Sequence, residues 1–295
     1  PRPQTDQYSL AITYYELRTG RLPFDEARAL VSNLTGQLDL SGLPADEREV
    51  IRRATSLQPD KRYPTCAEMV DALKMAAGGV QFGASGVIPI PGARRSSPPP
   101  GSGPLGGGTV AFTDNIRPGG SPIPGHKLER QLGVTRYGEL WEARGPGGVK
   151  CALKIVRDVP GRSPPDFAIL GKVRELAHQN LVQFRGCWLM AEDGSEVAPE
   201  DVGKPNVPPP AVVVISTDLI ERNLLTRLHE AHSLNLAGIP AEELLHYVRQ
   251  AASALDYLNL ANDIQHRDVR PENLLLRNDQ VLVSNFGLAK LMDGG

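Results

Sequence analysis

His266-Arg267-Asp268-Val269-Arg270-Pro271-Glu272-Asn273, with Leu274-Leu275-Leu276 behind it, carries more chemistry than any other part of this sequence. The stretch reads as a loop that holds a carboxylate, Asp268, and a carboxamide, Asn273. A helix leads into the loop. Between Glu242 and Leu258, the residues Leu245, Val248, Ala252, Leu255 and Leu258 recur at helical spacing and leave one apolar face. Just beyond the loop comes Ser284-Asn285-Phe286-Gly287-Leu288-Ala289-Lys290.

Working back towards the N-terminus, short strand-like runs follow one another: Leu128 to Leu132, Tyr137 to Arg144, Val149 to Val156, Leu181 to Leu189 and Val212 to Leu219. One helical stretch, Asp166 to Ala177, interrupts them, and a polar, Pro-containing insertion occupies Met190 to Pro210. Between the first two runs lies Leu132-Gly133-Val134-Thr135-Arg136-Tyr137-Gly138, with two glycines five residues apart, as a hairpin between strands has. The third run contains Cys151-Ala152-Leu153-Lys154. A strand-rich half followed by a helical half is an α+β arrangement with a cleft between the two.

Taken together, these motifs resemble the serine/threonine branch of the eukaryotic-like protein kinases. The resemblance runs from about His126 to Leu291 and, separately, from Asp6 to about Leu73. It implies a two-lobed fold, an antiparallel sheet with one helix in the first lobe and helices in the second. It implies ATP as ligand, and as partner a protein that is either a substrate or a kinase domain under regulation. Asp268 would accept the substrate hydroxyl proton, Asn273 would hold a metal, and Arg270 stands where the family carries a lysine near the transferred phosphate. Lys154 matches the strand lysine that reaches the α- and β-phosphates. Gly133 and Gly138 match glycines of the phosphate-covering loop, with Thr135 in place of the middle one. Leu132, Leu140, Ala152, Thr217, Leu219 and Leu275 would enclose the adenine, and Asp218 to Ile220 would supply the hinge backbone, Thr217 taking the gatekeeper position.

Two departures bear on catalysis. Where the family has Asp-Phe-Gly, this chain has Asn285-Phe286-Gly287, so the second metal position offers an oxygen but no charge. Mg2+ is a hard cation that prefers charged oxygens, so it is expected to bind weakly or not at all at Asn273 and Asn285. Aligned through His178-Gln179-Asn180-Leu181-Val182, the glutamate that pairs with the strand lysine falls on Ile169, with Asp166 one helical turn away. The expectation is a kinase-like domain impaired in catalysis, a pseudokinase that regulates a neighbour. The alternative is an active ATP-dependent kinase using Asp268 as base.

The first segment, 1–77, is helical. Tyr8, Leu10, Ile12, Tyr15 and Leu17 are apolar before Gly20 ends the helix, and further helices start at Pro44-Ala45-Asp46-Glu47 and near Cys66. Asp6-Gln7-Tyr8-Ser9-Leu10 with Gly20-Arg21-Leu22-Pro23-Phe24, and Pro59-Asp60-Lys61-Arg62-Tyr63-Pro64-Thr65, resemble the central helix and a late motif of a kinase helical lobe. In the family, that helix Asp buttresses the catalytic-loop backbone. Residues 78–122 are rich in Gly, Pro and Ser and read as a linker, residues 123–223 as the sheet lobe and 224–295 as the start of the helical lobe. The pieces thus come in reversed order, as an excerpt of a tandem-kinase chain would. Docking of the first piece on the second, Asp6 supporting the loop at His266, is expected because the helices after Leu224 otherwise leave an apolar face open to water.

Composition narrows the rest. The 295 residues carry 32 basic and 34 acidic side chains, a net charge of −2, interspersed so that no basic face suggests a nucleic-acid partner. Three cysteines without metal-type spacing suit a reducing, cytoplasmic setting. The longest apolar run, Ala211 to Ile215, is too short to cross a bilayer, so any membrane anchor would lie in a longer parent chain.

Overall fold

A computed structural model describes residues 4–24, 36–78, 112–135, 138–157 and 171–286. Asp166, Ile169, the tip of the glycine loop at 136–137, the Thr135 side chain and most of the 78–122 segment lie outside the described residues.

Helices α1 (Gln4–Thr19), α2 (Ala45–Ala54) and α3 (Cys66–Ala76) come first. Gly20 ends α1 in a left-handed conformation, φ 73°, with its N–H donating to the Glu16 carbonyl at 2.7 Å. Pro44 caps α2, and the Thr65 hydroxyl accepts the Glu68 N–H at the start of α3. The strands β1 (Lys127–Thr135), β2 (Gly138–Arg144), β3 (Lys150–Val156), β4 (Phe184–Met190), β5 (Glu196–Val197) and β6 (Val212–Asp218) form one antiparallel sheet in the order β1-β2-β3-β6-β4-β5. Helices α4 (Leu224–Ser233) and α5 (Ala241–Asp256) follow, with a π turn at Tyr257–Ala261, and then the hairpin β7 (Leu274–Arg277) and β8 (Gln280–Val283). This antiparallel sheet lobe followed by a helical lobe is the protein-kinase-like α+β fold.

The period-two geometry of strands decides which side chains reach the cleft. Along β6, Val212 and Val214 face one apolar cluster while Val213 and Ile215 face the other. Along β3, Cys151, Leu153 and Ile155 point to the outer cluster, so Ala152 and Lys154 must point the opposite way, into the cleft. The outer face of the sheet is covered by residues that composition alone placed in or beside the linker. Phe112 and Ile123 are buried there against Leu128, Trp141 and Val214, and the 112–126 strap is pinned by Gly119 N–H to the Leu128 carbonyl and Leu128 N–H to the Gly120 carbonyl, both at 2.8 Å. The polar insertion also enters the core, through buried Val197 and Val202.

The first three helices share a core with the second half of the chain. Leu10, Tyr14, Leu17, Ile51 and Leu73 lie in the same cluster as Val248, Leu255 and Val269. Helix α5 is buried on more than a stripe, Leu244, Tyr247, Ala251 and Ala254 joining the expected residues, because α1 and α3 pack on one side and β8 on the other. Polar contacts fix the register: the Asp256 carboxylate accepts the Cys66 and Ala67 N–H groups at 2.8 and 2.9 Å, and Arg249 pairs with Asp71. Most directly, Asp6 is fully buried and accepts the backbone N–H groups of His266 at 2.7 Å and Arg267 at 2.8 Å.

Among the described residues, no helix is long and apolar enough to cross a membrane.

Candidate nucleotide site

The loop at the lobe junction is held from three sides. Asp6 takes two of its N–H groups, and Arg267, which supplies the second, has φ 60°, a left-handed conformation uncommon outside glycine that these bonds compensate. Thr13 of α1 donates to the Val269 carbonyl at 3.2 Å. The His266 ring is fully buried: its Nε2–H donates to the Ser284 carbonyl at 2.7 Å, and its Nδ1 lies 3.2 Å from the Asp268 N–H and accepts it. Only the neutral ring satisfies both bonds, and burial keeps its pKa below that of a free imidazole although Asp6 and Asp268 oppose this.

A pH dependence follows. A free histidine titrates at about 6.5, so the stability that His266 contributes is complete above that pH and is lost as pH falls below it. Denaturant titrations on the acid side are expected to lose at most about 1.4 kcal/mol per pH unit from this ring. His266→Gln, which cannot titrate, should flatten the slope. An equal slope in both proteins would remove His266 as the cause.

Beside the loop is a cavity of about 240 Å³. Of the residues expected around a nucleotide, Leu132, Gly133, Leu140, Ala152, Lys154, Thr217, Asp218, Leu219, Ile220, Asn273, Leu275 and Asn285 all line it. Gly138, Asp268 and Arg270 do not. Gly138 serves the turn instead: at φ 122° a Cβ would stand 2.0 Å from the Ile155 carbonyl oxygen, so only glycine lets β2 begin this close to β3. The wall also contains Val182, Phe184, Ile215, Asn223, Glu272, Ser284 and Phe286, which sequence reasoning did not include. Phe184 and Phe286 meet with ring centroids 5.5 Å apart, a contact across a long sequence separation that no local pattern announces.

At the inner end, four side chains form one directional chain of hydrogen bonds. The Lys154 ammonium donates to Asn285 Oδ1 at 3.0 Å. Asn285 Nδ2 donates to Asn273 Oδ1 at 2.7 Å. Asn273 Nδ2 in turn donates to the Asp268 carbonyl at 2.7 Å and to its Oδ2 at 2.8 Å. Donor and acceptor chemistry fixes the order, since a rotated Asn285 would set an NH2 against an ammonium and a rotated Asn273 would set an oxygen against a carboxylate. Asn285 reaches this position through a left-handed backbone, φ 64°, which asparagine tolerates better than most residues. Both amide oxygens that would meet a metal therefore already accept N–H groups.

The surrounding charges are tied in pairs. Burial raises the Asp218 carboxyl, but hydrogen bonds from Arg277 and Arg185, at 2.6 and 2.7 Å, outweigh it and hold the group below the usual carboxylate range. Glu272 is likewise raised by burial and pulled below its ordinary value by Arg270, which grips it with Nε and Nη2. Arg270 is thereby turned to Glu272.

Residues 127–295 match the protein kinase domain family. The chain belongs to that family. Its relatives include cyclin-dependent kinase 4 of Mus musculus, 31% identical over 172 residues that make up 55% of this chain and 51% of that protein. A calcium/calmodulin-dependent protein kinase of Metarhizium anisopliae is 28% identical over 174 residues, 57% of this chain and 39% of the relative. The cyclin-dependent kinase 4 homolog of Caenorhabditis elegans is 25% identical over 191 residues, 62% and 43% respectively. The chain thus spans about half or less of the length of these kinases. The kinase-domain match and these relatives bear out the resemblance to eukaryotic-like serine/threonine kinases, a family that uses ATP and Mg2+.

Proposed function

We propose that this chain is a nucleotide-binding protein-kinase module with impaired phosphoryl transfer, a pseudokinase that acts on a neighbouring kinase domain through its conformation. One observation carries the reading: the Asn285 amide both replaces a charged ligand and donates its N–H to the oxygen of the other one, Asn273. Mg2+ would have to break that bond and displace the Lys154 ammonium from Asn285, gaining only neutral oxygens from these two side chains in return. The donor set does not fit a magnesium ion. It does fit the base of a nucleotide, because Leu132, Leu140, Ala152 and Leu275 form apolar walls beside the hinge at Asp218–Ile220. The catalytic role of Asp268, the phosphate contact of Lys154 and the completion of the helical lobe by residues 1–77 belong to the same proposal. The last is supported by the bonds from Asp6 to the loop.

A second reading, an active kinase, draws on the intact loop, in which Asp268 keeps its bond to Asn273. Thermal melting separates the two. Saturating ATP is expected to raise the melting temperature equally in EDTA and in excess Mg2+, since a ligand stabilises in proportion to ln(1 + [L]/Kd) and the metal adds no affinity here. A shift that appears only with Mg2+ would favour the active enzyme.

A further inference from the structure

We infer that the Asp218 side chain is a latch between the two lobes that positions the hinge backbone for the base of a ligand, an inference that rests on the nucleotide-binding reading above. Asp218 is the last residue of β6, and the chain runs on to α4 directly after it. Its carboxylate holds one partner from each lobe. Oδ1 accepts the Nε–H of Arg185, on β4, at 2.7 Å, and Oδ2 accepts an Nη2–H of Arg277, at the end of β7, at 2.6 Å. Local structure aims both guanidinium groups. Arg185 is the extra residue where the β4–β6 register shifts, Phe184 pairing with Thr217 and Gly186 with Ser216, and a bulge of this kind turns a side chain out of the strict alternation. Arg277 closes β7 opposite Gln280, beside the two-residue turn at Asn278 and Asp279.

At its far end the hinge is attached by backbone. Leu276 N–H donates to the Arg222 carbonyl at 2.8 Å, and Asn223 pairs with Leu275. Leu219 and Ile220, which line the cavity, are therefore bracketed between a side-chain clamp and backbone pairing. A single exposed ion pair would add little. Here one carboxylate, 22% exposed, serves two guanidinium groups carried by different lobes, so a rotation that parts β4 from β7 lengthens a charge-assisted bond. Neutralising the carboxylate does more than weaken two bonds, because it leaves two like charges converging on one point. A hinge freed in this way has to be ordered again when a ligand binds, and that cost weakens binding.

Asp218→Asn in the full chain tests this, with hydrogen exchange at the Leu276 amide as a readout that needs no ligand. That amide is expected to exchange about tenfold faster in the variant, the size of one lost bond to a charged group, while amides of β3 and α5 keep their rates. Adenosine affinity, measured by calorimetry in EDTA, is expected to fall by about the same factor. Arg277→Ala, which removes one arm at an exposed position, should move both readouts in the same direction. Exchange that quickens throughout the chain, or not at all at Leu276, would overturn the inference, and so would equal adenosine affinity in the variant and the unmodified chain. Adenosine binding by neither protein would overturn the nucleotide reading, and the Leu276 rate would then decide the latch by itself.

Discussion

Asp6→Ala is expected to remove about 3–5 kcal/mol of stability, a large part of what holds a domain of this size together. The carboxylate is fully buried and accepts three N–H groups, those of His266, Arg267 and the Asn259 side chain, the last at 3.0 Å. Truncation leaves those donors without acceptors in a place water does not reach, and each such buried donor costs about 1–3 kcal/mol. Arg267 also loses what stabilises its left-handed backbone. The measurement can show whether residues 1–77 and the remainder fold as one unit. Both tryptophans, Trp141 and Trp188, lie in the sheet lobe, whereas Asp6 sits on α1. If the shared core makes folding cooperative, urea transitions followed by tryptophan fluorescence and by helical circular dichroism shift together in Asp6→Ala. A fluorescence midpoint that stays in place while the helical signal moves would mean that the two pieces unfold separately, and the docked arrangement would be refuted.

Much of this architecture is legible from local chemistry. Gly20 and Thr65 bound their helices as glycine and threonine commonly do, and the alternation in Cys151-Ala152-Leu153-Lys154 assigns Lys154 to the face opposite the outer core. Features that depend on distant partners are harder to read. The β7–β8 hairpin escaped because Leu274-Leu275-Leu276 follows a helical region without alternation; only Asn278, at φ 55°, and Asp279 mark the turn. Phe112 is a single aromatic at the end of a Gly/Pro/Ser-rich stretch, and its burial comes from a sheet that begins 15 residues later at Lys127. At the site, the sequence announces a missing charge at Asn285. That the same side chain would also occupy the oxygen of Asn273 depends on the left-handed turn placing two amides 2.7 Å apart, which no spacing rule conveys.

Asn285→Asp is expected to make nucleotide binding metal-dependent. The exchange removes the N–H that Asn273 Oδ1 now accepts and puts a carboxylate oxygen in its place, so two acceptors would face each other where a bond of 2.7 Å stood. Such a pair repels unless a cation lies between them, which is the arrangement a hard divalent ion requires. Lys154, 3.0 Å from the present amide oxygen, would gain a charged partner on the other side. In the variant, ATP should bind at least tenfold tighter with Mg2+ than with EDTA, while the unmodified chain shows no difference. If about 4 kcal/mol of transition-state stabilisation returns with the metal, phosphoryl transfer to a generic peptide rises roughly a thousandfold. The direction of failure is informative. Transfer by the unmodified chain at the variant's rate would show that Asn285 does not limit the chemistry, and the pseudokinase reading would fall. Metal-dependent binding without transfer would place the remaining defect elsewhere, and Arg270 is the next residue to change. Its grip on Glu272 keeps the guanidinium away from the cavity, and Arg270→Lys would substitute an ammonium that cannot form the same two-pronged bond.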